Sequence, residues 1–508
     1  MLSLTNSRPA VNKGFYYKLF FILILLALLY TPYFSHLGTL PMRVWDEAKR
    51  GVIAYEMSHS DNPIVTTYDG RLDYVTTKPP LLIWFQALFI KMIGMNELAV
   101  RLPVAIMALF TSLMLLYFIK RFTGKYWLGW ISALLLATVQ GYVSMHGSRS
   151  GDYDVPVTFF IVLYSFSYMY FLEKEKPKYL YLTYIFIALA VMTKGIIGFT
   201  FLPALLLYTL IKGKLKAVLK SKHFYYGIPI IVVIVGGYYG LREYFTPGYL
   251  EAVARNELGG RYLDAKESHI EGFWFYFKQL HSWHFSYWIL FIIPGVFFGF
   301  THKNRWIRDL NMFSSIAVIV YFLVISTAQT KLEWYAIPMF PFLAIIVGTT
   351  VYFVFQFLQS RKISGSLPVK TNLLSYIWLL LIFVTPYSEI VNKTFLPKDK
   401  GTVYEYYKPE YFLKNWAGKG FNPDGYTIVK ERCWQRFLFY VYKLRDQGYT
   451  IHVADEEELK PGDKVILLMD GSERYIKKHY QCEKIGGWYG IKWFKIESEN
   501  FTPQLSEN

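Results

Sequence analysis

Ionisable residues cluster in short polar segments between long apolar stretches of this 508-residue sequence. The first segment carries Asp46, Glu47, Lys49 and Arg50 at a helix-like start, and then Lys78 before a Pro-Pro pair. A carboxylate can act as general base to an acceptor hydroxyl or amine. Lysine and arginine can neutralise a phosphate that is bound and then expelled as a leaving group. This combination favours group transfer from a lipid-linked phosphate donor.

Four later segments extend this set of ionisable residues. They supply Arg149, Asp152 and Asp154, then Lys194, then Arg255, Glu257, Arg261 and His269, and finally Lys331 with Tyr335 a helical turn onward. Charges at membrane depth are costly, so those at the edges of membrane spans tend to be partnered or functional. The segments therefore indicate one composite site.

Several of these residues also have an ordinary structural explanation. Asp46 and Glu47 suit the first turn of a helix, where acids complement the helix dipole. Asp154 fits an N-cap, and Lys78 fits a lysine that snorkels to the membrane interface. An idle charge is expensive at Lys194, because this residue lies between two apolar segments.

The composition indicates a polytopic membrane protein. Apolar residues make up 54% of the chain, aromatic residues 19%, and the mean hydropathy is +0.24. We predict eleven spans, each able to cross about 30 Å of hydrocarbon. They lie at about 16–35, 101–119, 126–144, 155–172, 179–193, 196–211, 224–241, 284–300, 311–327, 335–357 and 371–388. The first is predicted to be a retained helix rather than a cleaved signal peptide.

The distribution of Lys and Arg sets the orientation. Alternate loops are basic, and the positive-inside rule places them in the cytoplasm with the N-terminus. These loops are 120–125, 173–178, 212–222, 301–309 and 360–370. The same rule explains the formal charge of +17 without nucleic-acid binding. The ionisable segments then face outward from a plasma (inner) membrane, and so does the C-terminus after an odd number of spans.

The C-terminal part has a different character from the spans. We predict a transmembrane domain over 1–388 and a small extracytoplasmic α/β domain over 389–508, because strand-like runs alternate there with polar helical stretches. Cys433 and Cys482 either form a disulfide in this domain or are two unrelated thiols. Two amphipathic stretches, 46–58 and 79–93, suit helices along the outer membrane surface.

Five short motifs appear in a fixed order. They are Asp-Glu-Ala-Lys-Arg (46–50), Thr-Lys-Pro-Pro-Leu (77–81), Arg-Ser-Gly-Asp-Tyr-Asp-Val-Pro (149–156), Met-Thr-Lys-Gly (192–195) and Lys-Leu-Glu-Trp-Tyr-Ala-Ile-Pro (331–338). Their order and spacing over about residues 16–350 resemble membrane glycosyltransferases of the GT-C superfold. The similarity is to the aminoarabinose transferases of lipid A and the protein O-mannosyltransferases.

The resemblance implies a mainly α GT-C-like domain, an extracytoplasmic active site and a polyprenyl-phosphate sugar donor, with inversion at the sugar carbon. The acceptor would be lipid A, another glycolipid, a cell-wall polymer or a protein. The catalytic carboxylates implied by the motifs are Asp46, Glu47 and Asp154. The substrate-binding residues are Lys78, Lys194, Lys331, Arg149, Tyr335 and Asp152.

The resemblance also raises the question of a divalent metal. His269 matches a histidine that helps to bind a metal in the aminoarabinose branch. That branch has a Glu before Lys-Pro-Pro, whereas this chain has Thr77, which leaves both the metal and the sugar open. The rival class is a transporter of a lipid-linked or anionic substrate, which would place its charges near the membrane midplane and show related halves.

Overall fold

We describe the fold from a computed structural model, over residues 13–44, 46–144, 146–259, 271–360, 372–416, 421–431, 434–469 and 471–500. Helices dominate the first 394 residues. The first ten are α1 Lys13–Phe34, α2 Asp46–His59, α3 Leu81–Ile93, α4 Glu97–Thr123, α5 Tyr126–Ala137, α6 Gln140–Val143, α7 Asp154–Lys174, α8 Pro177–Lys194, α9 Leu202–Ile211 and α10 Leu215–Lys220. The next eight are α11 Lys222–Ile231, α12 Gly237–Phe245, α13 Tyr249–Val253, α14 Phe275–Gln279, α15 Ile292–Thr301, α16 Arg305–Thr327, α17 Phe340–Ser360 and α18 Asn372–Thr394.

Short 3₁₀ or π segments extend several of these helices. They are Gly195–Phe199, Val232–Gly236, Ala254–Gly259, Leu280–His284, Ile289–Phe291 and Glu333–Met339. A two-residue hairpin, β1 Thr67–Tyr68 and β2 Arg71–Leu72, lies between α2 and α3.

Eight helices in the described part of the chain are long and apolar enough to cross a membrane. A ninth span results if Phe275–His284 and Ile289–Thr301, which are bent by 114° at their junction, count as one. The other two of the eleven predicted segments contain shorter helices. At 12 and 10 residues, α5 and α9 fall short of the roughly 20 residues that cross the hydrocarbon core. By length and composition, the described part of the chain thus has eight or nine candidate spans, compared with the eleven predicted.

The helices form a bundle around α7. Of its most apolar window, 94% is buried within the protein, so α7 lies at the centre, while α1 and α11–α12 have only 11% buried and lie at the periphery. Several loops predicted to be cytoplasmic meet at one end of the bundle. There Lys212 Nζ lies 2.8 Å from Asp309 and 3.2 Å from Glu173. The acidic motifs lie at the opposite ends of α7 and α8.

The C-terminal part forms a five-stranded mixed sheet in the order β4-β3-β5-β7-β6. Its elements are α19 Gly401–Lys414, β3 Tyr426–Val429, 3₁₀ segment Trp434–Phe437, α20 Leu438–Asp446, β4 Ile451–Ala454, β5 Lys464–Leu467, α21 Glu473–His479, β6 Tyr480–Trp488 and β7 Ile491–Glu499. Strands β3, β4, β5 and β7 coincide with the strand-like runs of this part of the sequence, at 426–430, 449–453, 464–469 and 493–497. The remaining strand, β6, was missed because its Gly-Gly pair and polar residues weaken the alternating pattern.

The sheet domain shares a hydrophobic core with the two surface helices α2 and α3. Both helices were predicted, and they begin at Asp46 and just after Pro80. Contact is closest at Gly51 of α2, where a Cβ atom would lie 2.6 Å from the Phe439 ring of α20. Polar bonds add to this contact, since Tyr442 donates to Glu56 at 2.7 Å and Lys443 lies 3.0 Å from Glu97. The helix that begins with Asp46 therefore packs directly against the C-terminal domain.

Candidate active site

Asp46 is the accessible carboxylate at the start of α2. Half of its side-chain surface is exposed, whereas Asp152 and Asp154 retain only 4% and 2%. Its Oδ1 atom lies 3.4 Å from Arg50 one helical turn later, and the same guanidinium lies 3.0 Å from Asp152. Arg50 also covers the Tyr153 ring, 4.5 Å from its centroid. Burial alone would lower the pKa of Arg50, but the two carboxylates raise it. Arg50 therefore joins the first motif to the third.

Glu47 points in the other direction, into the protein. Its two oxygens accept hydrogen bonds from Arg101, each 2.8 Å long, and from the backbone N–H groups of Arg43 and Gly151, both also at 2.8 Å. Burial raises the pKa of Glu47, but the Arg101 guanidinium outweighs this effect and lowers it. These contacts fasten the start of α2 to α4 and to the third motif, which suits a positioning residue.

Asp152 lies at the centre of the cluster. It is buried and bonds both Arg50 and Nδ1 of His146, whose ring stacks on Trp334 with centroids 3.6 Å apart. Burial would raise the pKa of Asp152, but Arg50, His146 and Lys194 together lower it well below the usual range. Burial would lower the pKa of His146, and Asp152 more than reverses this. The raised pKa of His146 and the lowered pKa of Asp152 both favour the charged forms of this pair.

Asp154 and Lys194 form a second buried pair beside this cluster. Asp154 opens α7, Lys194 ends α8, and the lysine ammonium donates to Oδ1 of the carboxylate. The ammonium also lies 5.3 Å from the centroid of the Tyr335 ring. The second oxygen of Asp154, Oδ2, is buried with no hydrogen-bond partner within the described part of the chain. The structure therefore brings together three residues that the sequence analysis had taken from three separate segments.

Lys78 lies in a third pair, with a residue of the fourth segment. Its Nζ atom lies 2.5 Å from Oε1 of Glu257, and the Thr77 hydroxyl donates to the same oxygen at 2.6 Å. Both side chains of the ion pair are about nine-tenths buried. The other oxygen of Glu257 faces Gly195, which directly follows Lys194. Glu257 therefore bonds Lys78 and reaches the chain segment that carries Lys194.

The remaining predicted substrate-binding residues bond backbone carbonyls rather than the charged side chains of these pairs. Lys331 is buried and donates to the Ala328 carbonyl at 2.6 Å. Arg149 donates to three backbone carbonyls, the shortest bond being 2.6 Å to Ser35, and so ties the end of α1 to that of α18. Burial, helped by repulsion from Arg101, lowers the pKa of Arg149 to about 10. His269 lies outside the described residues.

Three side chains could hold a divalent metal. Ligand atoms of Asp46, His146 and Asp152 all lie within 4.8 Å of one another. Two carboxylates and an imidazole are donors that zinc and other divalent ions accept. By donor type and spacing the trio fits such an ion, which would share the two carboxylates with Arg50. The sequence analysis missed His146, although it lies only three residues before the Arg149–Pro156 motif.

Two cavities adjoin the cluster. The larger, of about 200 Å³, is lined by Glu47, Arg149 and Lys393 among others. The smaller, of about 30 Å³, is lined by His146 and by His284, which the sequence analysis also did not single out. Ser144 and Trp283 line both cavities. The two cavities therefore share part of their wall.

Comparison with solved structures identifies the fold. ArnT from Cupriavidus metallidurans, bound to undecaprenyl phosphate, superposes with a TM-score of 0.71 at 13% identity, covering 95% of this chain and 98% of ArnT. The oligosaccharyltransferase AglB from Archaeoglobus fulgidus, in complex with an inhibitory peptide and a dolichol-phosphate, superposes with a TM-score of 0.55 at 12% identity, covering 85% of this chain and 64% of AglB. The chain is a multi-pass membrane protein with the GT-C glycosyltransferase fold.

Sequence comparison also finds similar proteins. Residues 77–238 match the family model described as dolichyl-phosphate-mannose-protein mannosyltransferase. An uncharacterised protein of Aquifex aeolicus is 27% identical over 368 residues, which cover 72% of this chain and 68% of that protein. The region matched by the family model contains the second, third and fourth of the five motifs, but not the first, which carries Asp46.

Proposed function

We propose that the protein is a glycosyltransferase that moves a sugar from a polyprenyl-phosphate donor to an acceptor at the membrane surface, with inversion at the sugar carbon. One observation carries this proposal. Separate segments bring an accessible carboxylate, Asp46, to the same end of the bundle as two buried lysines, Lys78 and Lys194. That arrangement supplies a base on one side and cations for a phosphate on the other.

The reaction needs one bond to form and one to break. The acceptor oxygen or nitrogen attacks the anomeric carbon, and the bond from that carbon to the phosphate oxygen breaks with its electron pair remaining on the phosphate. Asp46 takes the acceptor proton, because it is the exposed carboxylate of the cluster. Lys78 and Lys194 each have three N–H donors, so both can bind the leaving phosphate while keeping a carboxylate partner.

The buried residues around them act by positioning. Glu47 and Arg101 fix the start of α2, and Arg50 orients Asp46 and Asp152. Asp154 holds Lys194 in place. A divalent ion, when bound by Asp46, His146 and Asp152, would supply further positive charge for the phosphate. We assign the acceptor to the 200 Å³ cavity, since it adjoins the cluster.

Sugar transfer and acceptor identity are tested together. Purified protein is incubated with a panel of polyprenyl-phosphate sugars and membrane extracts, and the glycosylated product is identified by mass spectrometry. Transfer from at least one donor, slowed about 10²–10⁴-fold in Asp46→Asn, supports the proposal. A folded protein that transfers no sugar but moves a labelled lipid-linked substrate between leaflets would instead support the transporter alternative.

We further propose that the site and the C-terminal domain from about residue 389 are extracytoplasmic. The support is the grouping of basic loops, exemplified by Lys212, at the opposite end of the bundle. Single cysteines placed in the 212–222 loop and after residue 390 should react with an impermeant reagent differently in intact cells. Labelling of both from the same side would overturn this topology.

A further inference from the structure

The phosphate site proposed above already contains a carboxylate. Oε1 of Glu257 lies 2.5 Å from the Lys78 ammonium and accepts a second hydrogen bond, 2.6 Å long, from Thr77. Lys78 and Glu257 are almost buried, with 12% and 9% of their side-chain surface exposed. A phosphate that binds Lys78 must therefore displace Glu257 or remain beside its negative charge. Either event weakens phosphate binding, and at low solvent exposure the weakening is substantial.

The size of this effect depends on the charge of the phosphate. In a sugar donor the phosphate is a diester with one negative charge. After transfer it is a monoester, which carries about 1.5 to 2 negative charges at pH 7. Repulsion from a nearby carboxylate grows with that charge. Glu257 consequently opposes the spent lipid phosphate more than it opposes the intact donor.

Its place in the chain suits this behaviour. Glu257 lies in the π segment Ala254–Gly259, where the hydrogen-bond ladder is less regular than in an α-helix. Its second oxygen faces Gly195, which adopts a positive φ of 59° at the end of α8. One oxygen of the carboxylate thus bonds Lys78, and the other faces the residue that directly follows Lys194.

We propose that Glu257 is a displaceable counter-ion that makes the site discriminate against the monoester product and in favour of the diester donor. The inference rests on the proposed function, because it takes Lys78 as a ligand of the donor phosphate. It assigns Glu257 a role in specificity and product release rather than in the chemical step.

Two lipid probes test this role without knowledge of the sugar. Undecaprenyl phosphate represents the product, and its methyl ester represents a singly charged diester. Binding of both to the full-length protein in nanodiscs is measured for the wild type and for Glu257→Gln, which keeps the size and an acceptor oxygen. We expect the variant to bind the monoester about tenfold more tightly and the diester only about threefold more tightly.

A matched control removes a carboxylate elsewhere in the same segment. Glu251 lies six residues earlier in α13 and is exposed, so Glu251→Gln should leave both affinities unchanged. Thr77→Val provides a second route to the same effect, because it loosens Glu257 without changing the charge. It should tighten monoester binding by a smaller factor, and it keeps the test decisive if Glu257→Gln does not fold.

The outcomes distinguish failure of the counter-ion role of Glu257 from failure of the donor-phosphate site. Weaker or unchanged monoester binding in a folded Glu257→Gln protein overturns the counter-ion role, provided that Lys78→Ala still weakens binding. Wild-type binding of both probes by Lys78→Ala overturns the donor site itself and this inference with it. A merely structural role for Glu257 would lower the affinity for both probes and would leave the ratio of the two affinities unchanged.

Discussion

Replacing Asp46 with asparagine removes a charge from the proposed base while leaving its shape in place. The side chain is half exposed, and its one ion pair among the described residues is with Arg50 at 3.4 Å. Because the Asp46 side of this pair is half exposed, although Arg50 is almost buried, the pair contributes on the order of 1 kcal/mol or less to folding. Arg50 keeps Asp152 at 3.0 Å. We therefore expect the Asp46→Asn protein to fold with almost unchanged thermal stability.

Its activity should fall much further than its stability. A positioned general base contributes about 10²–10⁴-fold to a rate, so kcat should decrease by that factor. Donor binding should change little, because the new amide group would not disturb Lys78 or Lys194. The assay measures the rate of sugar transfer under single-turnover conditions, with the polyprenyl-phosphate donor found in the panel. The product is quantified by mass spectrometry.

Asp61 provides the matched control. It is an exposed acid in the same loop, beyond the end of α2, and Asp61→Asn should transfer sugar at the wild-type rate. A folded Asp46→Asn protein with near wild-type kcat would refute the assignment of the base. The next candidate would then be Asp154, whose Oδ2 atom has no hydrogen-bond partner in the described chain.

The buried charges lead to three further predictions. Lys78→Ala should weaken donor binding by about 1.5–3 kcal/mol, the value of a charged hydrogen bond, measured as a raised KM for the donor; an unchanged KM contradicts its role. Arg101→Ala should destabilise the protein by about 3–5 kcal/mol, because it leaves Glu47 buried without its cation, and thermal unfolding in detergent checks this. Since the pKa of Glu47 is lowered in the folded protein, the ionised carboxylate stabilises the fold above about pH 4.3, and this stabilisation is lost in stronger acid. The loss of stability caused by Arg101→Ala should therefore become smaller in strong acid. The pKa of His146 is raised, so its pairing with Asp152 stabilises the fold fully below about pH 6.5 and loses this effect as the pH rises through the folded-state pKa. His146→Ala should therefore reduce the free energy of unfolding most in mild acid. A loss of stability that is the same at every pH would contradict the ion pair.

Much of the fold could be predicted from local sequence. The long apolar stretches become helices because a helix forms all the hydrogen bonds of its backbone within one segment, as a membrane requires. Helix α2 begins at Asp46 because acidic side chains are favoured at a helix N-terminus. The sequence did not reveal the short lengths of α5 and α9. A continuous apolar run does not show where a buried chain breaks, as it does after Ala137.

The sequence predicted which residues belong to the site, but it did not predict which of them pair with one another. Motif order indicated that Asp46, Asp154 and Lys194 belong together, since their segments follow membrane spans. It could not show that Glu47 turns inward to Arg101, or that Glu257 lies against Lys78, because both pairings join residues 54 and 179 positions apart. Such contacts depend on how the helices pack, which local patterns do not contain.

The tight approach of Gly51 to Phe439 limits how this protein can be recombined with its relatives. No side chain larger than hydrogen fits at Gly51 unless the Phe439 ring moves, so the two surfaces must change together. A chimaera that exchanges only the C-terminal domain would replace one half of a matched interface and tilt the helix that carries Asp46. The workable unit of exchange is the C-terminal domain together with α2, α3 and the start of α4, although the paired residues Glu97 and Lys443 are 346 positions apart in the chain.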